Sequence, residues 1–142
     1  MLGRLAKWLR ILGYDTAYIR NIRDAELIRL SLTGCRMILT RDTRLIKKRG
    51  LKNYLFIMDD QFVAQLKQVV SELHLSYPQN TFSRCIICNE PLLPYSNEAA
   101  CNIVPEYICK TEEIFGRCPK CNRIYWKGTH YKEMERILRE LR

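Results

Sequence analysis

No apolar run in this chain approaches the ~18 residues that a membrane-crossing helix needs. The amino terminus also does not separate a charged head from an apolar stretch, as a secretion signal does; Met1-Leu-Gly-Arg-Leu-Ala-Lys-Trp-Leu-Arg10 interleaves the two instead. There is no low-complexity tract and no internal repeat beyond a pair of cysteine motifs. Histidine is scarce, with two among 142 residues. These absences argue against a membrane protein and make a cytoplasmic protein the simplest reading. Seven cysteines without a signal peptide, an odd number in any case, argue against a disulfide framework as well.

What the chain does contain is positive charge, unevenly placed. The net charge is +9; residues 1–80 carry 14 Lys/Arg against 7 Asp/Glu, and residues 81–142 carry 10 against 8. A basic surplus favours polyanionic partners, nucleic acid above all. Protein partners are not legible.

Helical spacing of Leu2, Leu5, Ala6, Leu9 and Leu12 predicts a helix stopped by Gly13, with Arg4, Lys7 and Arg10 as a basic stripe. Tyr14 to Ile19 reads as a strand. Asp24 opens a helix ended by Gly34. Met37–Thr40 reads as a strand leading into a basic helix through Arg49. Tyr54–Met58 reads as another strand, and Phe62 to Leu73 as a longer helix. Alternating strands and helices imply parallel pairing in an α/β layer. Ser76–Thr81 reads as a linker between a first domain (1–76) and a second (82–142), which ends in a helix from Tyr131 to Leu141.

Every cysteine but Cys35 lies within 85–121. Cys85-Ile-Ile-Cys88-Asn and Cys118-Pro-Lys-Cys121-Asn share a pattern in which a tight turn aims two sulfurs at one ion. Two such turns complete the tetrahedral shell preferred by zinc, and the Asn after each pair suits the left-handed backbone such turns require. A redox dithiol would leave one pair unexplained; an iron–sulfur site stays open, but paired turns fit zinc better. Cys35, Cys101 and Cys109 read as small buried hydrophobes. His74 reads as structural, and His130 as packed or surface rather than a ligand or an RNA contact. Tyr125 and Trp126 read as ribbon core rather than stacking faces.

Asp24 at a helix start and Asp42 after a strand end fall on the sheet edge where α/β proteins bind ligands. Ringed by Arg23, Arg41 and Arg44, they could hold Mg²⁺ or Mn²⁺; from pattern alone, helix capping is the favoured role of each. Asp59 and Asp60 rank below them.

Gly3 to Asp15, the segment Asp24-Ala-Glu-Leu27, Leu39-Thr-Arg-Asp42, and the cysteine-rich half ending Ile124-Tyr-Trp-Lys-Gly-Thr-His130 occur in that order. Together they resemble, over essentially the whole chain, the family named for the C-terminal RNase domain of the Mut-seven exonuclease. The resemblance implies a PIN-like parallel-sheet domain followed by a zinc ribbon and C-terminal helix. It also implies a metal-dependent ribonuclease with Asp24 and Asp42 at an acidic Mg/Mn site, Arg4, Lys7, Arg10 and Arg41 on RNA, and Cys85, Cys88, Cys118 and Cys121 on structural zinc. Family members typically begin with a short strand ending in Asp, just before the segment where this chain starts. That strand and carboxylate are therefore expected to be missing here, and the alternative is an inactive RNA-binding or adaptor module.

Overall fold

Helix α1 (Gly3–Ile11) ends where its sequence says it must. Gly13 adopts a positive φ of 95°, so Tyr14 N–H reaches back to Leu9 O and Gly13 N–H to Arg10 O, closing the last turn. The computed structural model describes residues 2–76, 81–127 and 129–141, the side chains of Thr129 and His130 excepted. Most of the expected linker Ser76–Thr81, and the side chain of His130, thus lie outside the described residues.

The described chain falls into two units, and α1 is shared between them: Met1–Leu5 with Ala17–Leu75, and Ala6–Thr16 with Ser76–Arg142. The first unit runs α2 (Asp24–Gly34), β1 (Ile38–Thr40), a single 3₁₀ turn (Leu45–Lys47), β2 (Tyr54–Phe56) and α3 (Phe62–Glu72). β1 and β2 pair in parallel, Ile38 opposite Tyr54 and Thr40 opposite Phe56. The outer edge of β2 is occupied by a side chain: the Gln68 amide accepts from Met58 N–H (3.0 Å) and donates to Phe56 O (2.8 Å), as a neighbouring strand would. Leu5, Ile38, Leu45, Ile57, Leu66 and Val69 are buried in this unit.

Several expectations change here. Tyr14–Ile19 forms no strand; the backbone of Thr16 is held by side chains instead, its O accepting from Arg10 Nε and its N–H donating to Asn89 Oδ1. The basic helix through Arg49 shrinks to the one 3₁₀ turn. The stop of α2 moves from Gly34 to Cys35, which takes the left-handed conformation (φ 50°) while Arg36 N–H reaches Ser31 O. Cys35 is therefore exposed rather than buried. His74 does the same after α3, exposed with φ 51°, and marks the helix stop.

In the second unit β3 (Leu93–Tyr95), β4 (Phe115–Arg117) and β5 (Ile124–Tyr125) form an antiparallel ribbon. Between β3 and β4 sit two short helices, α4 (Asn97–Cys101), capped by the Ser96 hydroxyl on Ala99 N–H, and α5 (Glu106–Thr111). Ala100, Val104, Ile108 and Phe115 form the core of this unit, with Tyr95, Ile124 and Trp126 packed against it. Cys101 and Cys109 are joined across α4 and α5 by a disulfide with Cα atoms 5.1 Å apart, which corrects the reading of both as buried thiols. The helices bring them together over eight residues, a proximity that sequence spacing alone does not reveal. α6 (Thr129–Glu140) buries Ile137 and Leu138 and pairs Arg136 with Glu133 and Glu140 on its outer face.

Candidate metal centre

The two cysteine pairs fold into the same local structure. Cys85 N–H donates to Glu90 O and Asn89 N–H to Cys85 O; Cys118 N–H donates to Arg123 O and Asn122 N–H to Cys118 O. Asn89 and Asn122 both take the expected left-handed conformation, φ 67° and 62°. In each turn the backbone amide of the second cysteine points at the sulfur of the first, 3.4 Å for Cys88 N to Cys85 Sγ and 3.5 Å for Cys121 N to Cys118 Sγ. Such donors stabilise thiolate.

All four sulfurs lie within 4.8 Å of one another. A Zn–S bond of about 2.3 Å places tetrahedral sulfurs about 3.8 Å apart, the separation found between Cys85 and Cys121, 3.8 Å. Cys85 and Cys118 are fully buried, Cys88 and Cys121 half-buried. The four thiols are thus positioned to hold one metal ion, and the set fits zinc. Burial pushes the Cys85 thiol up, yet hydrogen bonds from the Tyr125 hydroxyl (3.0 Å) and from backbone amides outweigh it and bring the group down to about 7. Cys88 is pushed up to about 12 by desolvation, by hydrogen bonds with Cys121 and Cys118, and by the charge on Cys85. Tyr125 is raised by burial and by its thiol neighbour. It belongs to the ribbon, as does Trp126, whose ring lies 6.3 Å from that of Phe115.

The residue that sequence reading misplaced is Arg10. It is 7 % exposed, and its guanidinium donates to Thr16 O (2.9 Å), Ile86 O (2.8 Å) and Ile87 O (3.0 Å), the last two inside the first cysteine turn. Burial lowers its pKa, opposed by the negative charge of Cys85 and Cys88. Asn89 adds a further tie, its amide donating to Asp15 Oδ1 (2.6 Å), and Arg84 another, to Gly13 O (3.2 Å). The clue was an arginine within a run where Leu5, Ala6, Trp8, Leu9, Ile11 and Leu12 are all apolar and buried.

The other expected site residues lie in the first unit, Lys7 excepted. Asp42 Oδ1 accepts from the backbone N–H of Arg44 (2.8 Å) and Leu45 (3.3 Å) at the start of the 3₁₀ turn, so it caps that turn. Asp24 follows the N-cap residue Arg23 and pairs through Oδ2 with Lys48 Nζ at 3.1 Å. Both carboxylates are therefore held by one short segment, 44–48. Arg41 donates to Ile57 O (3.3 Å), Arg4 lies 3.9 Å over the Phe62 ring, and Lys7 is exposed. Asp59 Oδ1 accepts from Gln61 N–H (2.7 Å), and Asp60 is exposed. Among the described residues, the four cysteines are the one cluster of three or more potential ligands.

Fold and site define a small α/β protein with a four-cysteine ribbon built around one metal position. The family model of the Mut7-C RNAse domain matches residues 1–138, and the chain belongs to that family. No curated protein and no solved structure gives a match. No helix among the described residues is long and apolar enough to cross a membrane.

Proposed function

We propose that this chain is a ribonuclease that hydrolyses RNA phosphodiester bonds at a Mg²⁺ or Mn²⁺ site carried by Asp24 and Asp42, in a first unit of PIN-like type, with a structural zinc in the ribbon. The observation that carries the reading is the family membership over residues 1–138. Local geometry supports it: one short segment holds both carboxylates, and Asp24 already faces a cation in Lys48. Oxygen donors of this kind suit a hard divalent ion. When bound, such an ion neutralises phosphate charge and makes its water more acidic. The chain's own part is to orient Asp42 through two amide hydrogen bonds and to hold Asp24 beside Lys48. The fold holds Arg41 next to Asp42 through Ile57 O. Four thiolates leave the zinc no open position, so it takes no part in the chemistry.

A second reading, RNA binding without cleavage, is favoured by the capping role of Asp42 and by the absence, among the described residues, of any cluster of three carboxylates. Cleavage of a labelled RNA with and without Mn²⁺ decides between them. Asp24→Asn and Asp42→Asn should each lower the metal-dependent rate by at least about tenfold to a hundredfold, the loss that even outer-shell partners of a metal cause. Asparagine still caps a turn, so the Asp42 variant should stay folded. Unchanged rates in both variants overturn the assignment; RNA binding without any cleavage establishes the second reading.

A further inference from the structure

The segment from Arg41 to Lys52 holds six Lys/Arg against a single acid, Asp42, and so supplies more than half of the chain's net charge of +9. Its backbone is pinned rather than loose. Leu45 is buried at 2 % exposure, Asp42 caps the 3₁₀ turn, and Lys48 is tied to Asp24. Arg44, Lys47, Arg49 and Lys52 are left exposed, and among the described residues none of them makes an ion pair. Arg44 and Lys47 stand three residues apart on a turn of three residues, which puts them on one side of it.

An ordinary solvated surface disperses its charges and pairs many of them. This lobe concentrates one sign, carries Asp42 itself, and is tied through Lys48 to Asp24, the other carboxylate of the proposed active site. We propose that the lobe from Arg41 to Lys52 is the surface that grips the RNA phosphate backbone, without regard to base sequence, and presents it to Asp24 and Asp42. The proposal rests on the ribonuclease reading. Basic side chains contacting phosphate position a strand without reading it. An anionic membrane is the poorer fit, because the lobe's apolar residues, Leu45, Ile46 and Leu51, are buried or half-buried and offer no wedge to insert.

The test uses the full chain and a short labelled single-stranded RNA, followed by fluorescence anisotropy across a salt series with no divalent metal added. The variant Arg44→Gln/Lys47→Gln/Arg49→Gln/Lys52→Gln should bind about a hundredfold more weakly, and its log–log salt slope should fall by about 3, near 0.7 per lost phosphate contact. A control, Lys120→Gln/Arg123→Gln/Lys132→Gln/Arg139→Gln, changes net charge equally from exposed positions of the second unit. It should lose less than about threefold. If the quadruple variant fails to fold, the pairs 44/47 and 49/52 serve separately, each expected to remove about half of the slope change. Equal losses in lobe and control variants, an unchanged affinity, or tighter binding to phosphatidylserine vesicles than to RNA would each overturn the proposal. Lobe-dependent binding without Mn²⁺-dependent cleavage defeats the nuclease reading alone; cleavage with lobe-independent binding defeats the lobe alone.

Discussion

Three arginine or lysine positions spaced along one helix look alike in sequence and differ completely in the fold. Arg4 lies over Phe62, Lys7 is exposed, and Arg10 is buried with its guanidinium on three backbone carbonyls. Helical spacing tells which residues share a face but not what covers that face, which is why Arg10 read as a nucleic-acid contact. Its replacement by Gln should cost about 2–4 kcal/mol, since a charge-assisted donor set is lost and three partly buried carbonyls lose their donor; denaturant unfolding of the zinc-loaded protein measures this. Zinc affinity should fall with it, because Ile86 and Ile87 belong to the ligand turn. The cysteines, in contrast, were fully legible. Two-residue spacing fixes a local turn, and the asparagine after each pair supplies the backbone conformation the turn needs. Their joint position within 4.8 Å follows from that local chemistry repeated twice.

At the scale of elements, what sequence conveyed well was the existence of helices and less well their ends. Gly13 stops α1 as expected, whereas Gly34 is the last residue of α2 and Cys35 bears the left-handed turn. A helix stop is chosen by backbone hydrogen bonding, here Arg36 N–H to Ser31 O, and a nearby glycine does not guarantee its own use. Cys35→Gly should therefore stabilise the protein by about 1 kcal/mol, by removing the Cβ penalty at φ 50°. A thermal midpoint that drops would refute this. Tyr14–Ile19 has strand-like composition yet no ladder, because strand formation depends on a partner and not on propensity alone. The disulfide between Cys101 and Cys109 was illegible for a related reason: it depends on how α4 and α5 turn back on each other.

For the molecule as a whole, metal and fold should be coupled unequally. Both tryptophans, Trp8 and Trp126, fall in the unit that contains the four cysteines. Removing the ion with a chelator should shift their fluorescence to the red, and adding zinc back should reverse it. The ion binds thiolates, and protons compete for them. The stability it confers is therefore present at high pH and lost as pH falls, with Cys85, near 7, the group that takes up a proton in that range. A zinc titration repeated between mildly alkaline and mildly acidic pH should show affinity falling steadily across the range. Affinity that does not change with pH would contradict thiolate ligation.

The division of α1 between the units has a consequence for biosynthesis. Ala6–Thr16 leave the ribosome well before Ser76–Arg142, the segment with which they belong. Until Cys118 and Cys121 have emerged, the four-thiol site cannot close. Ala6, Trp8, Leu9, Ile11 and Leu12 must wait as an uncovered apolar segment beside an arginine. A nascent chain that stalls or ends early keeps that segment on display, an address for chaperones and proteases. The finished protein withdraws it. An earlier part of the molecule thus carries a mark of incompleteness that only a later part erases.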